Sequence, residues 1–211
     1  MQEVKTLGKR HTERVQHSSK FPDWRTPPRL FAQLDQEFAF VLDAAADKQN
    51  KLCPHYFGPD HSLPALRVGL AVDWAEFISS CYGGMHPPFP PRLAVFVNPP
   101  YSREAKMPIG PWVEKCWQES QRGVTVVGVI PLSPQTLWWR AWIAFRAREV
   151  RMIPHRVTFL RPDGSIEGSA GGNTAIVVWR PNCGIQEPWV PFSCYWDYEQ
   201  LGTEGGSNGE R

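Results

Sequence analysis

Short apolar runs broken by polar turns recur along the chain, and several are followed by stretches with helical spacing. Phe38-Ala39-Phe40-Val41-Leu42 reads as a strand that ends at Asp43. Residues 66–72 read as a shorter strand ending at Asp73-Trp74. Leu93-Ala94-Val95-Phe96-Val97 is an uninterrupted buried-strand run that feeds directly into Asn98-Pro99-Pro100-Tyr101. Val124 to Ile130 is another buried strand, and Val150–Ile153, Arg156–Leu160 and Thr174–Trp179 read as the closing strands. Between them lie helices. Thr26 to Leu34 opens one, with Thr26 as N-cap and Pro27 in its first position. Gly110 to Gln121 is a second, in which Trp112, Val113, Cys116 and Trp117 share a face. A third starts at Ser133-Pro134 and runs to about Ala147. Residues 80–92 and 161–173 are the long loops.

This order predicts an α/β fold: a mixed sheet with helices on both faces and an antiparallel element near the end. In open sheets of this kind ligands bind at the carboxyl ends of strands, near the point where strand order reverses. Asp43, Asp73 and Asn98 each end a predicted strand, which is the main reason for grouping them in one site.

Composition narrows the class. At 211 residues, with 42% hydrophobic and 21% charged, the chain is expected to be one globular domain with tails. The boundaries predicted are a flexible basic arm over 1–20, a domain over 21–201 and a disordered tail over 202–211. No run reaches the roughly 20 apolar residues of a membrane span. The polar start lacks the apolar stretch of a secretory signal, so none is expected. The five cysteines form no Cys-x-x-Cys pair, which argues against a zinc site or a disulfide framework. His55, His61 and His86 make no metal motif, and no metal is expected. Net charge is +2, yet residues 1–29 hold seven Lys/Arg against three Asp/Glu. That arm either lies along phosphates or is a solvated tail.

Asn98-Pro99-Pro100-Tyr101 carries the chemistry. Each proline fixes φ and lacks an N–H, so the turn is stiff and its carbonyls are free to accept bonds. The Asn98 side-chain oxygen is a second acceptor, and Tyr101 offers a stacking face. Such a point suits the binding of a planar amino group and methyl transfer to its nitrogen. A rigid turn with Tyr101 in the core is the plain alternative. Asp43 and Asp73 each have a plain alternative too, as helix caps.

Trp24-Arg25-Thr26-Pro27, then Phe40-Val41-Leu42-Asp43-Ala44-Ala45, then Asp73-Trp74, then Val97-Asn98-Pro99-Pro100-Tyr101-Ser102 resemble, in that order, the phage Dam-type DNA adenine methyltransferases. His155-Arg156-Val157-Thr158-Phe159 and Ala175 to Trp179 resemble their closing strands. The likeness spans about residues 21–180. It implies a Rossmann-like S-adenosylmethionine-dependent methyltransferase fold, acting on the exocyclic amine of adenine in double-stranded DNA. By the same resemblance Asn98, Pro99, Pro100 and Tyr101 are the catalytic motif. Thr26, Pro27, Asp43, Ala44 and Asp73 face the cofactor. The methyl donor is S-adenosylmethionine, and no obligate protein partner or membrane is implied. The setting implied is the cytoplasm of a bacterial host, for a phage or prophage product. Arg103, Lys106 and Arg161 are candidates for DNA contact, the last for a guanine edge or a phosphate. Two departures stand out. No Gly-x-Gly follows the first strand, where Asp43-Ala44-Ala45-Ala46-Asp47 stands instead. His155 occupies a place where a small residue is expected. RNA-adenine or protein-glutamine methylation, or an inactive DNA-binding relative, are the alternatives.

Overall fold

The computed structural model describes residues 24–84, 86, 93–100, 108–161, 163–166, 173–182 and 192–199. The predicted arm and tail, and Tyr101, Arg103 and Lys106, lie outside these.

Among the described residues the elements are helix α1 (Pro28–Phe38), strands β1 (Phe40–Asp43) and β2 (His55–Tyr56), and helix α2 (Trp74–Cys81). Strand β3 (Ala94–Val97), helix α3 (Gly110–Gln121), strand β4 (Val126–Pro131) and helix α4 (Leu137–Trp142) follow. Strands β5 (Glu149–Met152), β6 (Thr174–Trp179) and β7 (Phe192–Tyr195) complete one sheet of order β2-β1-β3-β4-β6-β5-β7. All neighbours are parallel except β6, which runs antiparallel to both β4 and β5. The fold is thus a mixed α/β sheet, as predicted.

Strand order reverses between β1 and β3. From β1 the chain first adds β2 on one side, then returns to add β3 and β4 on the other. This leaves the carboxyl ends of β1 and β3 side by side at a switch point.

Alternation along β3 divides the core. Val95 and Val97 pack with Trp74, Ile78, Val113, Cys116 and Trp139, so α2, α3 and α4 cover that face. Ala94 and Phe96 pack with Leu30, Leu34 and Phe38 of α1 on the opposite face. β1 departs from strict alternation. Phe40 pairs with Ala94 but Leu42 with Val95, so β1 carries one extra residue, a bulge.

Two charged clusters tie helices to this frame. Glu119 of α3 is 1% exposed, accepts from the Ala75 N–H of α2 at 3.2 Å and pairs with Lys115. Arg151 of β5 makes two 2.6 Å bonds to Glu37 at the end of α1 and also holds Glu149 at 2.6 Å. Its side chain is only 10% exposed, whereas that of Glu37 is 43% exposed, which lowers the worth of the pair. Arg151→Met is expected to cost about 2 kcal/mol, or about 6 °C of melting temperature. A melting curve that does not move would mean that α1 is held by its apolar face alone.

The sequence reading needs several corrections. Residues 66–72 are not a strand: Pro64–Leu66 and Gly69–Ala71 are two 3₁₀ turns. Arg156–Leu160 is not a strand either; only Leu160 pairs, with Arg25. α1 starts one residue late, with Pro27 as N-cap and Pro28 first, and continues to Phe38, which is therefore not in the strand. α4 is shorter than expected because Thr136, not Ser133, caps it: its hydroxyl accepts from the Trp139 N–H. Cys53, Cys81, Cys116 and Cys194 are free thiols.

Candidate functional site

Asn98 follows β3 directly and Asp43 closes β1. Asp43 pairs in register with Phe96, two residues before Asn98. The switch point therefore sets the carboxylate and the amide at adjacent strand ends. Thr26 joins them from the segment before α1. Its Oγ1 accepts from Asn98 Nδ2 at 3.0 Å, and the Trp24 carbonyl accepts from the same nitrogen at 3.3 Å. Trp24–Thr26 is itself anchored. Arg25 and Leu160 exchange backbone bonds of 2.8 and 3.0 Å. Pro99 is buried and Pro100 half-buried.

Asp43 is 3% exposed. Its Oδ1 accepts from Ala45 N–H at 3.4 Å and its Oδ2 from Leu52 N–H at 3.3 Å. Burial pushes its carboxyl up from 3.8 to about 7, against the two backbone donors that favour the ionised form. Burial, with the Asp43 charge beside it, also drives the Cys53 thiol far up, which makes Cys53 packing rather than a nucleophile.

A stability consequence has a definite sign. With its folded value raised, Asp43 contributes stability that is whole below about 3.8 and is lost as pH climbs through about 7. The limiting slope for one such group is about 1.4 kcal/mol per pH step. Urea unfolding of wild type and Asp43→Asn at pH 5 and pH 8 reads it out. The wild-type advantage over the variant is expected to shrink or reverse at pH 8. An advantage equal at both pH values would place the carboxylate in a better solvated setting than this.

The segment after β1 has no glycine, yet its backbone is approached as closely as glycine permits. A Cβ on Gly58 would lie 1.6 Å from the Ala46 carbonyl oxygen, and one on Gly69 would lie 2.1 Å from that of Ala44. Gly58 and Gly69 let two facing segments of the protein pack directly against these carbonyls. Ala44 is itself fully buried, its N–H bonded to the Phe96 carbonyl at 3.0 Å. Next to it, Asp47 accepts from Gln49 and Asn50 N–H at 2.7 and 2.9 Å, and Asp60 accepts from Lys48 N–H at 2.9 Å. The sequence reading missed Gly58, Gly69 and Asp60, since nothing local marks them.

Asp73 starts the next helix. It is the N-cap of α2, accepting from Glu76 N–H at 3.0 Å, and it pairs with Arg122 at the end of α3. It ends no strand, since 3₁₀ turns precede it, and it does cap α2. Arg161 opens the second long loop one residue after the bridge to Arg25; its N–H and carbonyl bond Ser165 and Gly164. His155 lies against Tyr198, 3.7 Å from Asp197 and 3.5 Å from Glu199, so its ring packs the C-terminal segment onto the fold. Among the described residues no helix is long and apolar enough to cross a membrane.

No curated protein matches the chain. A family profile does, over residues 15–193, which takes in α1, the switch point and every strand of the sheet up to the middle of β7. With that span matched, the chain belongs to the DNA N-6-adenine-methyltransferase (Dam) family.

Proposed function

We propose that the protein transfers a methyl group from S-adenosylmethionine to the exocyclic N6 amine of a specific adenine in double-stranded DNA, on a Rossmann-like methyltransferase fold. The observation that carries this reading is the placing of Asn98, bonded to Thr26, and of Asp43 at the adjacent strand ends of the β1/β3 switch point. The antiparallel β6 set between β4 and β5 supports the fold assignment.

The donor set fits the cofactor. Asp43 is a buried carboxylate with two long backbone bonds and unused acceptor capacity, suited to hydroxyl or ammonium groups of a ligand. Thr26, Pro27 and Ala44 flank it in this reading. When bound, S-adenosylmethionine supplies a methyl already activated on a sulfonium. Asn98 Oδ1 and the Pro99 carbonyl accept the two hydrogens of the adenine amine. These bonds localise its lone pair and stabilise the positive charge that grows on nitrogen as the methyl arrives. The stiff Pro99-Pro100 turn holds both acceptors without reorganisation. The target atom is hard to reach inside a duplex, so the base is extruded and stacks on Tyr101. Arg103, Lys106 and Arg161 are assigned to the DNA backbone or base edges.

Incubation with methyl-labelled S-adenosylmethionine and unmethylated duplex DNA, followed by nucleoside analysis, tests this. Label is expected in N6-methyladenine and in no other nucleoside. Cofactor binding without label in DNA would redirect the search to RNA or protein. Absence of cofactor binding would overturn the reading.

A further inference from the structure

The side-chain amide of Asn98 has two chemically opposite ends. Only its oxygen accepts a hydrogen from an incoming amine; its nitrogen would meet donor with donor. Which end faces outward therefore decides whether the motif works. Two neighbours decide it. The Trp24 carbonyl is an acceptor and nothing else, so the end of the amide that faces it at 3.3 Å is Nδ2. Thr26 Oγ1 lies 3.0 Å from the same nitrogen. Both Nδ2 hydrogens thus have partners, and a flipped amide would set Oδ1 against the Trp24 carbonyl oxygen.

We infer that Thr26 is a positioning residue: its hydroxyl, with the Trp24 carbonyl, fixes the Asn98 amide so that the oxygen is presented to the target amine. This rests on the reading of Asn98 as the acceptor of that amine. Thr26 is suited to the role because it is 6% exposed, so water does not readily replace its hydroxyl. Its segment is held on both sides, by the Arg25–Leu160 bridge and by the Pro27 carbonyl, which accepts from Phe31 N–H at the start of α1. Donation from Nδ2 also polarises the amide and makes Oδ1 the stronger acceptor. The fold thus joins the segment before α1 to the turn after β3 by a bond that sequence distance conceals.

Thr26→Val keeps shape and removes the hydroxyl; Thr26→Ser keeps the hydroxyl. The valine variant is expected to lose about tenfold in kcat at saturating S-adenosylmethionine. Read at saturating cofactor, this loss in kcat stands apart from any change in cofactor affinity, which calorimetry follows separately, and the serine variant recovers the rate. In an Asn98→Ala background, Thr26→Val adds no further loss, since its effect passes through the missing amide. Independently of activity, the Asn98 side-chain amide resonances, identified by their absence in Asn98→Ala, exchange with solvent faster in the valine variant. An unchanged kcat overturns the proposal. So does a loss confined to cofactor affinity, or a full further loss on top of Asn98→Ala. If wild-type protein methylates no DNA, the proposed function fails by itself. The amide exchange then decides the positioning role alone: faster exchange in Thr26→Val upholds it, and equal exchange ends it.

Discussion

Replacing Asn98 by alanine is expected to slow methyl transfer to adenine by about 10²- to 10³-fold, the usual effect of removing one preorganised transition-state contact. Asn98 follows β3, with β1 on one side and β4 on the other. The main chain around it is fixed by the sheet and by two prolines, so truncation removes the acceptor without moving the turn. The alanine variant leaves the Thr26 hydroxyl and Trp24 carbonyl short of a donor, a cost of about 1 kcal/mol in stability. Cofactor affinity stays near wild type, because the amide meets the amine and not the donor. Asn98→Asp separates the requirements further. A carboxylate keeps an acceptor toward the amine but offers no hydrogen to the Trp24 carbonyl, so activity is expected between that of alanine and wild type. Single-turnover rates with a duplex substrate check all three. A rate for Asn98→Ala equal to wild type would remove the motif from the chemistry.

Gly58→Ala should be the most destructive conservative change in the described fold. The added methyl would sit 1.6 Å from the Ala46 carbonyl oxygen, well inside the 3.0 Å that Cβ atoms keep. The obstacle is backbone, not the far end of a flexible side chain. Relief requires the Ala44–Asp47 segment to retreat by more than an ångström. That segment is bonded to Phe96 at its start and to Phe57 through Ala46 N–H, so it does not retreat cheaply. About 3 kcal/mol of destabilisation is expected, the upper end for overpacking, or about 10 °C in melting temperature. In whatever fraction stays folded, the displaced segment should weaken S-adenosylmethionine binding by at least about tenfold. Gly83→Ala is the control. Gly83 has φ +75 but nothing near its Cβ position, so only conformational strain of about 1 kcal/mol is at stake. Equal melting temperatures for the two variants would show that the contact behind the β1 turn is loose.

Much of this architecture was legible where a segment's neighbours agree with its own pattern. α3 begins and ends where its apolar face predicts, Gly110 to Gln121. β3 and β6, buried on both faces, read as the apolar runs they are. The failures share a cause, a partner absent from the local sequence. Val157 and Phe159 alternate like strand residues because both pack beneath α1, yet in that segment it is Leu160 that pairs, with Arg25. β2 is two residues long and owes its existence to β1. β7, missed in the sequence, adds to the outer edge of β5. Residues 66–72 looked extended because Leu66 and Val72 are apolar, but Gly69 must press on Ala44, and 3₁₀ turns bring it there. At the site, the resemblance named Thr26 and Asn98 separately. The bond between them spans more than seventy residues, and no local pattern encodes it.

The bulge in β1 has a consequence for how the gene can vary. Phe40 and Leu42 lie on opposite faces of the sheet only because one residue is spare between them. Asp43 stands level with Phe96, on the α1 side with Cys53, toward the segment that holds Asn98. Loss of the spare codon would restore plain alternation and leave Asp43 level with Phe96, whereas gain of one codon between Leu42 and Asp43 would turn the carboxylate to the far side of the sheet. The strand thus tolerates shortening at its bulge but not lengthening after Leu42, where one added residue would separate the two halves of the site.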